Sequence, residues 1–381
     1  MIDIKKVPSP CFVLDEALLR SNLELINRVQ KEAGVSVILA FKGFSMWSAF
    51  PLVRQYLPGA TASSLNEARL CFEEMQVKAH TYCVAYYPNE FSKILKYSSH
   101  VTFNSVAQFN KYKSKVQKYP EHVSMGIRVN PEWSPVETAL YNPGDSTGRL
   151  GATEEHFKKG LPEGVEGLHF HVLCESSSYD LEKTLVHFEA KFGHFLPQLK
   201  WVNFGGGHLM TRAGYDVDHL ISVLKAFKSR YPNLSVTLEP GSAIAWDTGV
   251  LVATVLDIVK NRGVKTAILN TSFTAHMPDT LEMPYRPRVR GANAEPTKED
   301  KHQYRLGGVS CLSGDYMDTY AFPEALKIGQ KIVFEDMIHY TMVKTTTFNG
   351  VLHPSLAIQR EGGALEVVRR FGYKDYKNRL S

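Results

Sequence analysis

The chain has 381 residues, 44 basic against 39 acidic side chains and a formal charge of +5, a balance too mild to mark a nucleic-acid or acidic-surface binder on its own. With 44% hydrophobic and 22% charged residues it has the composition of an ordinary globular protein, and 27 glycines with 19 prolines exclude collagen-like and low-complexity chains. At roughly 150 residues per domain the length suggests two domains, or a large barrel with a smaller partner.

The opening MIDIKKVPSPCFVLDEALL lacks the apolar run of a signal peptide, and no stretch approaches the ~20 apolar residues of a membrane helix. The five cysteines (Cys11, Cys71, Cys83, Cys174, Cys311) are an odd number without CxxC spacing, so they read as reduced thiols of a cytoplasmic protein. For the N-terminal segment, set at residues 1–30, the run SPCFVLDEALLRSNLELINRVQKE (9–32) predicts a short strand and then a helix, the strand being of the kind that joins a distal β domain.

Eight β-rich runs follow: VILAFK (37–42), GATASS (59–64), HTYCVA (80–85), HVTFN (100–104), SMGIRVNP (124–131), GLHFHV (167–172), WVNFGGG (201–207) and SVTLEPG (235–241). Each precedes a longer, helix-compatible stretch, which predicts an α/β fold with a TIM-type (β/α)₈ barrel over 31–244. The rival is an open doubly wound sheet, but that fold has its glycine cluster after the first strand, and here it follows the seventh. Lysines 111, 113, 115 and 118 read as the solvated face of a helix and not as a nucleic-acid surface. Over 245–381 the runs VLVATVLDIVK, VKTAILN, QYRLGGVSC, QKIVFEDMIHYTMV and TTTFNG lack long helical spacers and predict a mainly antiparallel β domain, with 290–304 an exposed loop.

In a barrel the chemistry sits at the C-terminal ends of the strands, and several conspicuous residues lie there. Lys42 ends ILAFK; partial desolvation would lower its amine and free it for imine formation, the alternative being a lysine that snorkels to water. Gly205 to Gly207 leave backbone N–H groups able to converge on a phosphate, or make a flexible turn. In LEPGSA, Glu239 can hold a pyridine-type ring nitrogen protonated, or form a rim salt bridge, and Gly241 can serve a turn. In HFHVLCE, His171 can lie against a planar cofactor, or be hydrogen-bonded in place; with His169 it suggests zinc, yet no third ligand follows at a familiar spacing. Further on stand Cys311 and Asp315 in GGVSCLSGD, where the plain reading is a loop cysteine of no consequence, Tyr340 in MIHYTM, and Asp279 and Glu282 in a proline-bounded loop, a position more often functional than structural.

Taken together, AFK, HFHV, GGG, EPG, a C-x-x-x-D and a late tyrosine, in this order and over nearly the whole chain, resemble the fold type III pyridoxal-phosphate decarboxylases, which join an alanine-racemase-like barrel to a C-terminal β domain. Within that family, HFHVLCE, HMPDTLEMPYRP and SCLSGD resemble the branch acting on carboxynorspermidine and carboxyspermidine. The diaminopimelate enzymes carry EPGR and CESGD where this chain has Ser242 and Leu312, and the ornithine type has an aspartate at the position of Leu312, so both fit less well.

The resemblance implies pyridoxal 5'-phosphate as cofactor, no metal, decarboxylation of a carboxylated polyamine in polyamine biosynthesis, and a homodimer with active sites at the interface. Lys42 would form the imine, His171 stack on the ring and Glu239 face its nitrogen. Gly206, Gly207, Gly241 and Tyr340 would cradle the phosphate. Cys311, from the partner subunit, would protonate the product. Asp279 and Asp315, with Glu175 and Ser242, would meet the substrate. A polyamine tail calls for carboxylates, and screening over roughly 10 Å lets Asp279, Glu282, Asp315 and Glu175 make a negative pocket on a weakly basic protein. A racemase of the same fold usually presents a tyrosine base where this chain has Cys311, and a non-catalytic relative typically loses the lysine, the cysteine or the glycine loop, all retained here.

Overall fold

Short apolar strands alternate with helices from residue 36 to residue 245 in the computed structural model, which describes residues 2–137, 142–282 and 285–381. The first strand, β1 (Cys11–Asp15), belongs elsewhere. Those of the alternating region are β2 (Ser36–Val37), β3 (Leu39–Ala40), β4 (Ala60–Ala62), β5 (Ala79–Cys83), β6 (Ser98–Phe103), β7 (Ser124–Arg128), β8 (Gly167–His169), β9 (Trp201–Asn203) and β10 (Ser235–Leu238). Neighbours from β3 to β10 pair in parallel, and β10 also pairs with β2. Because β2 and β3 flank Ile38, they act as one interrupted strand: Ile38 N donates to Leu238 O (2.9 Å) on one side and Leu39 N to Gly59 O (3.0 Å) on the other. The ring of eight strand positions is thereby closed, and the expected barrel is present.

The helices form where their signals stand. Ser64, Ser105, Ser177 and Asp216 each accept a backbone N–H at a helix start, and Ser177 with Asp180 completes a capping box. Helix Ser178–Phe192 buries Leu181, Leu185, Phe188 and Phe192 at helical spacing, and Phe188 packs 4.7 Å from Phe170 between ring centres. At the opposite end from the mouth, Trp201 fills the barrel: a Cβ on Gly167 would fall 2.0 Å from its ring and one on Gly126 2.3 Å. Its indole Nε1 donates to Ser124 Oγ at 2.8 Å, so the large ring is buried without an unpaired donor.

The remaining strands are β11 (Gly249–Asn261), β12 (Val264–Leu269), β13 (His302–Gly307), β14 (Tyr316–Phe322), β15 (Lys331–Glu335), β16 (Ser355–Gln359) and β17 (Leu365–Arg369). They form a mixed sheet in the order β14-β13-β12-β11-β1-β16-β17, with β15 also on β11. Two pairings are parallel, β1 with β16 and β12 with β13, and the other five are antiparallel. Here the sequence expectations need correcting in detail. MIHYTM and TTTFNG are turns and 3₁₀ segments, whereas β14, β16 and β17 are strands that the pattern did not announce, and 302–304 already belong to β13.

The chain divides into two compact units, Ser21–Ile244 and the residues up to Arg20 with Ala245–Ser381. The division falls inside helix Glu16–Ala33, which starts where Asp15 Oδ1 accepts the N–H groups of Ala17 and Leu18. All five cysteines are free thiols, and no described helix is long and apolar enough to cross a membrane. Met283 and Pro284, part of the HMPDTLEMPYRP run, lie outside the described residues.

Candidate active site

Lys42 follows β3 by two residues. Its loop is pressed against the last barrel loop, with Ala40 N donating to Pro240 O (3.1 Å), and a Cβ on Gly43 would fall 2.6 Å from the Cα of Gly241. Glycine at both positions lets the chain close there. The Lys42 amine reaches to 3.3 Å from His171 Nε2. Surrounding protein lowers Lys42 below the usual lysine range, Arg128 adds to this and Glu239 opposes it. The side chain stays open to water in the mouth, which tempers that desolvation.

His171 Nδ1 accepts the Gly206 N–H at 2.9 Å, so the proton of the neutral ring falls on Nε2, beside the lysine, a tautomer assigned from this hydrogen bond. Burial, then the neighbouring Lys42, pushes the imidazole down to about 3. The Arg128 guanidinium, inside the barrel wall, donates to His171 O at 2.9 Å and lies 4.9 Å over the Tyr82 ring.

Glu239, one residue past β10, is 6% exposed. Its Oε1 lies 3.1 Å from His169 Nε2 and 3.6 Å from His171 Nδ1, and Oε2 accepts from Asn203 Nδ2 at 3.0 Å. Burial alone would raise this carboxyl. The two imidazoles outweigh it and hold the group well below the usual carboxylate range, while burial lowers both histidines. The stable arrangement is an ionised carboxylate between two neutral rings. The contact to His169 is close but misaligned, leaving His169 Nε2 without a hydrogen bond among the described residues. His169, His171 and Glu239 also have metal-triad spacing, with ligand atoms within 4.8 Å of one another. Folding thus supplies the third group that spacing along the chain did not reveal. The His171 Nδ1 lone pair, however, is already taken by Gly206 N–H.

Beside this cluster lies the glycine loop. Gly205 and Gly207 adopt φ of +68° and +88°; a Cβ would fall 2.5 Å from Phe170 O at the first and 2.3 Å from Leu173 O at the second. Gly206 is equally constrained, with Glu239 O 2.6 Å from its hypothetical Cβ. Asn203 Oδ1 accepts the Gly205 N–H at 2.8 Å, and Gly207 O accepts from Ser176 N at 2.8 Å. The Gly207 N–H has no acceptor among the described residues. Of the further barrel candidates, Glu175 is exposed with φ +48°, and Ser242 opens the short helix Ser242–Ala245 just past Gly241.

The sheet unit holds the rest. Cys311 is exposed on a turn, its N–H donating to Asn349 Oδ1 at 2.8 Å. Asp315 is buried and accepts the N–H groups of Phe273 (2.7 Å), Thr274 (3.1 Å) and Ser310 (3.0 Å), so it anchors the Cys311 turn. Asp279 forms an ion pair with Lys344, which also meets Glu282 Oε2 at 2.6 Å. Burial opposes the charge on Lys344, but the two carboxylates prevail and raise it. Tyr340 takes φ +46°. Arg128, Asn203 and Lys344 escaped the sequence reading. A cation inside the apolar run SMGIR and an asparagine between a strand and a glycine cluster were the available signals for the first two; Lys344 had none.

The family described as pyridoxal-dependent decarboxylase, C-terminal sheet domain, matches residues 11–338. The chain belongs to this family. As a decarboxylase it has relatives along its full length. It is 50% identical to a carboxyaminopropylagmatine decarboxylase of Synechocystis, covering 99% of this chain and 96% of that one. It is 46% identical to a carboxynorspermidine/carboxyspermidine decarboxylase of Campylobacter jejuni, over 98% and 99%. Among solved structures it resembles carboxynorspermidine decarboxylase of C. jejuni in complex with norspermidine, with a TM-score of 0.91, 44% identity and coverage of 98% and 100%. The decarboxylase fold of barrel plus mixed sheet is therefore common to both chains.

Proposed function

We propose that this decarboxylase releases CO₂ from carboxynorspermidine or carboxyspermidine, with pyridoxal 5'-phosphate held at the barrel mouth. The observation that carries the reading is the buried Glu239 anion, flanked by two neutral imidazoles and one step from the Lys42 amine. A buried carboxylate without a full cationic partner suits a protonated ring nitrogen, and the glycine loop with its open Gly207 N–H suits a phosphate. The residues present therefore fit the cofactor. Lys42, His171, Glu239, Gly206, Gly207, Gly241 and Tyr340 are the groups we assign to hold it.

When bound, pyridoxal phosphate supplies an aldehyde for amines and a conjugated ring that accepts the electron pair left by CO₂. The protein's part is placement and protons. The lowering of the Lys42 amine favours the unprotonated lone pair that imine formation needs. The His171 Nε2–H is directed at that amine, and the Arg128 bond to the His171 carbonyl keeps the ring in place. Glu239 stays anionic because three strands bring partners to it. Cys311, supplied by the partner subunit of a homodimer, hands a proton to the substrate carbon that has lost CO₂. Asp279 and Glu282 receive cationic nitrogens of the tail, with Glu175 and Ser242 nearer the reacting head; Asp315 contributes by holding the Cys311 turn. Free thiols throughout the described chain support a cytoplasmic location.

A second reading shares the same reacting head and differs at the tail. The Synechocystis relative at 50% identity is named for carboxyaminopropylagmatine, whose far end is a guanidinium. Such a planar fork favours bidentate carboxylates, which the Asp279 and Glu282 pair can offer. The deciding experiment gives the purified holoenzyme carboxynorspermidine, carboxyspermidine, carboxyaminopropylagmatine, ornithine and diaminopimelate in parallel, and measures CO₂ release and product chirality. A polyamine acid should give the highest kcat/KM. Preference for ornithine or diaminopimelate, or inversion without CO₂, overturns the proposal.

A further inference from the structure

The residue directly after the glycine loop has no place in the chemistry above. His208 is 1% exposed, and neither ring nitrogen has a hydrogen-bond partner of normal geometry among the described residues. The polar groups that bear on its ring are the backbone of Phe204 and Gly205, at contacts too long or too oblique to count as full hydrogen bonds, and Glu239 acts on it from further off. Burial pushes the imidazole down to about 4, so the ring is neutral. Buried polar groups are nearly always satisfied, and a side chain held in this state calls for an explanation.

Its surroundings supply one. Three successive glycines have little conformational preference of their own, so the curve of the loop must be imposed from outside. On one side, Asn203 Oδ1 and His171 Nδ1 receive the N–H groups of Gly205 and Gly206. On the other, Gly205 O accepts from Glu239 N (2.8 Å) and Gly207 O from Ser176 N (2.8 Å), while Leu209 N returns to Ser176 O (3.4 Å). These bonds, with Phe204 N donating to Thr237 O (2.8 Å), fix the backbone on both sides of His208; the Phe204 carbonyl, which accepts no hydrogen bond among the described residues, is the group left for its ring to brace. The remaining Gly207 N–H has no acceptor among the described residues.

We propose that His208 is a positioning residue for the phosphate end of the cofactor: its neutral ring, packed behind the loop against the backbone of Phe204 and Gly205, holds Gly205–Gly207 in the curve that turns the Gly207 N–H toward an anion. It touches neither phosphate nor substrate and acts through the loop. This rests on the cofactor reading given above and adds to it a residue whose effect should be selective for phosphate.

The test uses the full-length apoprotein, titrated with pyridoxal 5'-phosphate and separately with pyridoxal, which lacks the phosphate, together with the ³¹P shift of the bound cofactor. His208→Phe keeps an aromatic ring and removes the polar atoms. It should weaken pyridoxal phosphate by about tenfold or more, the scale of lost outer-sphere support, and move the ³¹P signal, while leaving pyridoxal within about twofold. His208→Gln, which restores a polar group, should recover most of the difference. Equal loss for both ligands, or no loss for either in a variant that melts like the parent, overturns the proposal. Should His208→Phe fail to fold, the same comparison is made between His208→Gln and His208→Asn, where a phosphate-selective difference supports the proposal and its absence overturns it. A parent protein that binds pyridoxal as tightly as its phosphate ester would instead refute the cofactor reading.

Discussion

In the barrel unit, Lys42, His171 and Glu239 are directed at one another, and Gly206 and Asn203 tie them to the glycine loop. In the sheet unit, the side chains expected to serve the substrate have partners of their own: Asp315 three backbone N–H groups, Asp279 and Glu282 the Lys344 amine. On the proposed function, the contrast separates two tasks. A cofactor is permanent, so its electrostatic partners are best assembled once inside one rigid unit. A polyamine comes and goes, and its ammonium groups can compete for carboxylates that a lysine otherwise neutralises.

Substitutions can break that contrast. Lys42→Ala should cost on the order of 10⁴-fold or more in CO₂ release and remove the visible absorbance of the holoenzyme together. Normal turnover in this variant would end the assignment of Lys42. Cys311→Ala should lower kcat by roughly 10²-fold, the scale of one proton donor, with absorbance intact and some product misprotonated. An unchanged rate reduces Cys311 to a turn residue. Asp279→Ala, which leaves Lys344 paired with Glu282, should raise KM for the polyamine acid by about 10- to 100-fold, the worth of one hydrogen bond to a charged group, again without loss of cofactor signal. Parallel loss of cofactor and substrate binding would show that the two units do not divide the work in this way.

The smallest effect compares their acid stability. Mainly through burial, His80 is pushed down to about 3 and His100 to about 4 in the barrel, and His276 to about 4 in the sheet unit. An unfolded imidazole titrates near 6.5, so between about pH 6.5 and pH 4 the unfolded chain binds more protons than the folded one. The stability these groups contribute is complete above pH 6.5 and declines with acid, by up to about 1.4 kcal/mol per pH unit for each histidine. The barrel, where the His80 and His100 rings lie 3.9 Å apart, should lose hydrogen-exchange protection first. A flat melting temperature between pH 6.5 and 4.5 would contradict this.

Much of the fold was legible because the barrel strands are apolar runs bounded by turn residues. The sheet unit was less so. Its strand β17 is at most half-buried along its length and shows no clean alternation, while MIHYTM and TTTFNG have strand composition but contain Tyr340 at φ +46° and Asn349 at φ +55°, conformations that end a strand. In the site, Lys42, His171, Gly206, Gly207 and Glu239 stood out by type at strand ends. Arg128 and Asn203 did not, since a polar residue within a strand looks the same along the chain whether it faces water or a barrel interior.

Residue order alone determined the barrel, its closing glycines and the set of groups able to do chemistry, because periodicity and turn chemistry are local. Folding decided which of those groups meet and which carry charge. Glu239 is anionic because β8, β9 and β10 bring His169, Asn203 and its own carboxylate to one point, and Asp315 became an anchor because distant backbone N–H groups converge on it. Protonation and hydrogen bonding follow distance through space, which spacing along the chain does not encode.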